Sequence, residues 1–218
     1  MKVLKAPQSG SLAGTTASRN RFGQYERSRA IPVNPNSAAQ GIARARLSAN
    51  SAGWRVLTSA QRAGWSGLGA SIVRNDSLGQ SYTLQGNQAH ASVNNNRLLQ
   101  GLAVVADAPA DSTPAAITGV VLTLTAVAFS VAFTPTPMPA ATYLAVYASP
   151  QRSAGRSFNA DYRFMKISAA AGASPLAILA EYTARFGVPV VGNRIFISCV
   201  AVCLGFESGP FNLSQVVA

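Results

Sequence analysis

The sequence predicts an α+β fold: a basic N-terminal arm with a β-hairpin and a small helical unit, followed by a C-terminal β-sandwich. Three observations predict it. Twelve of the eighteen Lys and Arg residues but only two of the seven Asp and Glu residues fall within residues 1–105, which therefore carry ten of the formal eleven positive charges. Within that front half apolar residues recur at helical spacing, whereas beyond residue 114 β-branched and aromatic residues alternate. Between the two regimes lies Asp107-Ala-Pro-Ala-Asp-Ser-Thr-Pro114, a run of turn-forming composition. The chain thus divides into an extended basic arm (1–33), a small helical domain (34–105), a linker (106–114) and a β-sandwich domain (115–218). The last is nearly neutral and apolar, and is expected to fold alone.

The arm opens with a polar stretch, Gln8 to Gly14. Two polar runs, Thr15–Arg21 and Gln24–Ala30, then flank Phe22-Gly23, where Gly supplies the positive φ of a tight reversal. This predicts a β-hairpin whose alternation is basic and small rather than apolar, so neither face can bury much against its own domain. Such a hairpin is marginal by itself and reads as an arm that orders on a neighbour. Asn34-Pro35 predicts a helix start, with Asn34 as N-cap and Pro35 at N1. That helix runs to about Ser51, with Ala38, Ile42, Ala45 and Ala49 on one narrow face. Thr58-Ser-Ala-Gln61 has the capping-box form, and Gln61, Trp65, Leu68 and Ile72 follow on one face, with Trp54 and Leu57 just upstream. Asn75–Gly79 reads as a turn and Ser81–Leu84 as a short extended piece. Gly86–Gly101 reads as a third helix with Ala89, Val93 and Leu98 or Leu99 inward.

In the back half, Val120–Phe133, Thr142–Ser149, Arg163–Ile167 and Arg194–Leu204 are alternating runs. Turn clusters at Pro135–Pro139, Pro150–Gly155 and Gly187–Gly192 separate them. In the last run Ile195, Ile197, Cys199, Ala201 and Cys203 point one way and Phe196, Val200, Val202 and Leu204 the other, the signature of a central strand covered on both sides. About seven short strands in so short a stretch predict an immunoglobulin-like or fibronectin-III-like sandwich. A short helix over Ser174–Phe186, capped by Ser174 with Pro175 at N1, is read as an insertion.

Composition excludes most chemistry. His90 is the only histidine, and nothing near it in sequence completes a nucleophile, an acid or a ligand set, so a packing or surface role is expected. The seven carboxylates are scattered, which disfavours a carboxylate pair or a metal cage. Gly64-Trp-Ser-Gly-Leu-Gly69 clusters glycines without the preceding strand or following Lys-Ser/Thr of a phosphate loop. Cys199 and Cys203, about 13 Å apart along one face of a strand, cannot pair with each other and read as two small buried hydrophobes. No catalytic residue, cofactor or metal is predicted. Residues 1–30 show no apolar signal core, and no apolar stretch is long enough to cross a membrane, so a chain that stays out of membranes is expected. Charged residues make up only 11% of the chain, against roughly a quarter in a typical soluble domain. Few charges with abundant Ala, Ser, Gly and Asn fit a surface spent on other subunits, in a homo-oligomer or a lattice.

The candidate partner-binding residues are Arg19, Arg21, Phe22, Tyr25, Arg27 and Arg29. Their bases interleave with aromatics, as in a binder of single-stranded nucleic acid. They equally suit an arm lying on an acidic protein surface, where Arg makes bidentate carboxylate contacts, and the absence of longer Lys/Arg runs favours the protein surface.

Four segments in order carry a resemblance: Ser18-Arg-Asn-Arg-Phe-Gly-Gln-Tyr-Glu-Arg-Ser-Arg29, Pro32-Val-Asn-Pro-Asn-Ser-Ala-Ala-Gln40, Trp54-Arg-Val-Leu-Thr-Ser-Ala-Gln-Arg-Ala-Gly-Trp65 and Asn75-Asp-Ser-Leu-Gly-Gln80. Over residues 8–105 the chain resembles a family of uncharacterised virion structural proteins of tailed bacteriophages and prophages. The resemblance implies a non-enzymatic structural protein of the virion, made in the host bacterial cytoplasm, with other virion proteins as partners. It implies a head-surface, cement (decoration), neck or tail component, and it brings no catalytic residues with it.

Overall fold

The computed structural model describes residues 9–31, 33–76 and 78–218. The fold is α+β, with four α-helices and several antiparallel sheets among the described residues. It divides into two compact units, one ending at Ala43 and the other spanning Arg44–Ala218.

The first unit is strand-rich at its start. β1 (Gly10–Leu12), β2 (Thr15–Asn20) and β3 (Gly23–Ser28) form a three-stranded antiparallel meander. The expected hairpin is present, with two differences. Asn20 pairs with Gly23, so the reversal is Arg21-Phe22 rather than Phe22-Gly23, and Gly23 follows it at φ +119°. A third strand, β1, was hidden in the polar stretch before it. α1 (Ala38–Val56) begins three residues later than expected because Ser37, not Asn34, caps it: the Ser37 and Gln40 side chains exchange hydrogen bonds with each other's backbone N–H. Asn34 instead closes a local turn by accepting from the Asn36 N–H. The helix also runs five residues beyond Ser51 and takes in Trp54.

α2 (Ser59–Ser71) starts at Thr58 with the expected capping box: Gln61 N–H donates to Thr58 Oγ1 at 3.2 Å, and Thr58 N–H to Gln61 Oε1 at 2.9 Å. A small hairpin, β4 (Val73–Asn75) and β5 (Ser81–Thr83), leads into α3 (Gly86–Leu99). Trp65, Ala89, Val93 and Leu57 form the centre of the helical cluster, with Trp54, Leu68 and Ile72 packed against it. Leu98 and Leu99 are only half-buried. Residues 106–114, expected as a linker, run irregularly along α2: Trp65 Nε1 donates to Ala106 O at 2.7 Å and Gln61 Nε2 to Asp107 Oδ1 at 3.1 Å.

The rest of the chain is mostly strand: β6 (Gly119–Leu124), β7 (Phe129–Thr134), β8 (Thr142–Ala148), β9 (Arg152–Ser153), β10 (Arg163–Ile167), β11 (Leu176–Ala177), then α4 (Leu179–Phe186), β12 (Asn193–Cys203), β13 (Phe206–Glu207) and β14 (Phe211–Val216). β11, β7 and β6 form one sheet. β12 is the spine of the other, between β10-β8 and β9 along one side and β13 and β14 along the other. Side chains of both sheets meet in a single core, including Leu124, Phe129 and Val131 from one and Leu144, Val146, Ile195 and Ile197 from the other. Tyr182 of α4 closes it, stacked edge-on against Phe129 with its hydroxyl donating to Ser149 O at 3.1 Å. The two-sided apolar pattern of β12 holds for six of the nine residues: Ile195, Ile197, Cys199 and Ala201 enter this core and Phe196 and Val202 are buried on the opposite side, whereas Val200 and Cys203 are only half-buried and Leu204 lies in the turn beyond the strand. The α4 start is corrected. Ser174 spends its hydroxyl accepting from Phe133 N–H, and Leu176–Ala177 pairs with β7, so the helix begins only at Leu179. Both cysteines are free; Cys199 is buried, which pushes its thiol up to about 12.

Candidate partner-binding surface

Strand register decides where the six predicted residues lie, because directly opposed residues share a face. Arg19 opposes Gln24 and Ala17 opposes Glu26, on one face of the meander. Ser18 opposes Tyr25 and Thr16 opposes Arg27, on the other. Arg21 and Phe22 form the reversal between these strands, with the Arg21 guanidinium 4.6 Å from the Phe22 ring centroid and Phe22 N–H donating to Asn20 Oδ1 at 2.9 Å. Arg29 lies just beyond β3 and extends the ladder by donating its N–H to Gly14 O at 2.8 Å. The four arginines therefore do not make one stripe. They are distributed over both faces and the tip of the meander.

All six residues are exposed, Phe22 to 75%. Indeed no described residue from 9 to 43 is buried. Leu12, Ile31 and Val33 are exposed as well, and sequence reasoning missed them. They are single apolar residues in polar surroundings, with no periodicity to single them out.

His90 stands where a packing role puts it. On α3 it lies 5.1 Å from the Trp65 ring and 5.7 Å from Trp54, buried, and burial holds its pKa below the ordinary histidine value. Its Nδ1 has no hydrogen-bond partner. No group of three or more His, Cys, Asp or Glu side chains among the described residues could hold a metal ion. No described helix is long and apolar enough to cross a membrane.

The chain matches no protein-family model and no curated protein at significant similarity. Its functional reading therefore rests on the geometry of the arm and on chemistry.

Proposed function

We propose that the protein is a non-enzymatic structural component of a bacteriophage virion, a head-surface or cement (decoration) protein or a neck or tail component. In this reading the arm binds an acidic lattice of other virion proteins through Arg19, Arg21, Phe22, Tyr25, Arg27 and Arg29. The strand-rich half, an immunoglobulin-like or fibronectin-III-like sandwich, faces outward or bridges to a neighbouring copy. The observation that carries the proposal is that residues 9–43 fold into strands and a helix start without burying a single described side chain. A three-stranded sheet with no apolar face has little to stabilise it alone, and exposed Arg beside exposed aromatics is interface composition.

Deleting residues 1–31 is expected to abolish incorporation into particles while leaving the melting of the remainder nearly unchanged. Wild-type incorporation by the deletion variant overturns the proposal. Binding of nucleic acid is the competing reading, favoured by the Phe22 and Tyr25 rings between arginines. It predicts salt-dependent DNA binding with a log–log slope of about −3 to −4 for four phosphate contacts, lost when the four arginines become Gln.

A further inference from the structure

The strongest unassigned feature is on the outer face of the six-stranded sheet. Ile195 and Ile197 point into the core, so Arg194 and Phe196 point outward, and β14 places Ser214 opposite Phe196 and Asn212 opposite Ser198. The segment between β9 and β10 folds back over these residues. Asp161 anchors it, with Oδ1 2.9 Å from Arg163 Nε and Oδ2 3.7 Å from Arg152 Nη2. Between segment and sheet is a pocket of about 520 Å³ lined by Phe158, Asn159, Tyr162, Phe196, Asn212 and Ser214.

Two features of the pocket and one beside it point to a ligand. Asn159 is only 4% exposed, yet neither its Oδ1 nor its Nδ2 has a hydrogen-bond partner. A native protein rarely buries an amide with both ends unpaired, and a partner for it must donate and accept at once. Phe158 is 70% exposed, its backbone carbonyl accepting from Arg156 Nε at 2.7 Å, and it offers a flat apolar surface at the same pocket. Finally, Arg152 and Arg194 sit directly opposite each other on β9 and β12, a like-charge pairing that is unfavourable by itself. Arg194 Nη1 reaches pocket-lining Ser214 Oγ at 3.5 Å, and the Nε of both arginines is buried without a partner.

We propose that this pocket binds a saccharide bearing a carboxylate. Sugar hydroxyls, each both donor and acceptor, complete the Asn159 amide and engage Asn212 and Ser214. The C–H face of the ring packs on Phe158, and the carboxylate faces the outer guanidinium nitrogens of Arg194, whose Nη1 stands 3.5 Å from pocket-lining Ser214 Oγ. A nucleotide shares the anion and the planar face, but a base needs an apolar slot between two flat walls. Of the three rings in this lining only Phe158 is open to solvent, Tyr162 being half-buried and Phe196 buried, and Asn212 and Ser214 share the wall with them. The site does not use the arm and stands whether or not the virion reading holds.

The test uses the full chain, titrated with 3′-sialyllactose and trigalacturonate, their neutral counterparts lactose and maltotriose, and AMP. Saturable binding is expected for at least one acidic sugar, at least about tenfold tighter than for its neutral counterpart, a difference of about 1.4 kcal/mol. Phe158→Ala, at an exposed position, is expected to weaken it about tenfold or more. Arg194→Gln should abolish the preference for the acidic form. A variant with Arg19, Arg21, Arg27 and Arg29 all changed to Gln should bind as the parent does, which separates the pocket from diffuse attraction to a basic chain. The proposal is overturned if neither acidic sugar saturates, if AMP binds and the sugars do not, if neutral sugars bind equally, or if Phe158→Ala binds unchanged.

Discussion

Trp65 and His90 show how much a single side chain decides in this chain. Trp65 is fully enclosed, and its indole N–H has its partner in Ala106 O, so its apolar area is buried without an unpaired donor. Trp65→Ala should cost about 3–5 kcal/mol in urea denaturation, and Trp54→Ala, at a half-buried position, should cost less. Equal costs would mean that the two indoles share the core evenly, contrary to their burial. His90 between them contributes a pH dependence whose sign follows from burial. Its pKa in the folded state is lowered from 6.5, so the unfolded chain binds the proton more readily. The stability it supports is complete above about pH 6.5 and is lost as pH falls through that value toward the lower folded-state pKa. The melting temperature should therefore fall between pH 7.5 and pH 5.5, about, and His90→Phe should flatten that part of the profile. These residues were legible in the sequence because an i, i+3, i+4 pattern around two tryptophans admits few other arrangements. The Asn159 amide was not. A lone Asn in a turn-rich stretch carries no pattern, and only the fold reveals that its polar atoms are enclosed.

At the scale of elements, capping and alternation read out well wherever the partner is local. The Thr58–Gln61 box, the Asn75–Gly79 turn with the extended piece after it, and the two-sided β12 all depend on residues within a few positions of one another. Errors fall where a side chain has two possible local partners, or where the partner is distant. Ser37 competes with Asn34 for the start of α1, and Ser174 caps nothing because β7 claims its hydroxyl. The polar side of α3 is the largest such omission. Asn94, Asn96 and Gln100 look like solvent-facing residues, yet all three are buried and bonded to backbone. Asn94 exchanges bonds with Val105; Asn96 Nδ2 donates to Gly205 O at 3.0 Å; Gln100 accepts from Gly205 N–H at 2.9 Å and donates to Val202 O at 3.0 Å. The last two side chains find their partners more than a hundred residues away, beyond any periodicity argument. Gln100→Ala should cost about 1–3 kcal/mol for each backbone group left unpaired, measured as a shift in urea midpoint. Gly205→Ala should be at least as severe. Its φ of +99° is strained for any side chain, and a Cβ there would come within 2.6 Å of Val93 O, which is backbone and cannot yield. A Gly205→Ala chain as stable as the parent would mean that the β12–β13 turn is not held against α3.

For the whole molecule, composition and contact draw different boundaries, and the difference has a physical origin. Net charge changes near residue 105 because charge belongs to surfaces, and the arm and the helices present basic ones. Compactness changes at Ala43, inside α1, because it follows buried contact. Phe206, the first residue of β13, is buried within the helical cluster beside Trp65 and Val93, so the helices and the strands are stabilised across the 106–114 segment rather than separated by it. Residues 115–218 alone would expose Phe206, remove the α3 partners of Val202 O and Gly205 N–H, and keep only the core between the sheets. A chain of residues 37–218, which retains the Ser37 cap, should therefore unfold in one cooperative transition close to that of the intact protein. Residues 115–218 alone should remain rich in strand but melt at a lower temperature and bind a hydrophobic dye through the uncovered turn, with Phe206→Ser reducing that binding. Two separate transitions in the 37–218 chain, or a 115–218 fragment as stable as the longer one, would restore the boundary at residues 106–114 and make the Phe206 contact incidental to stability.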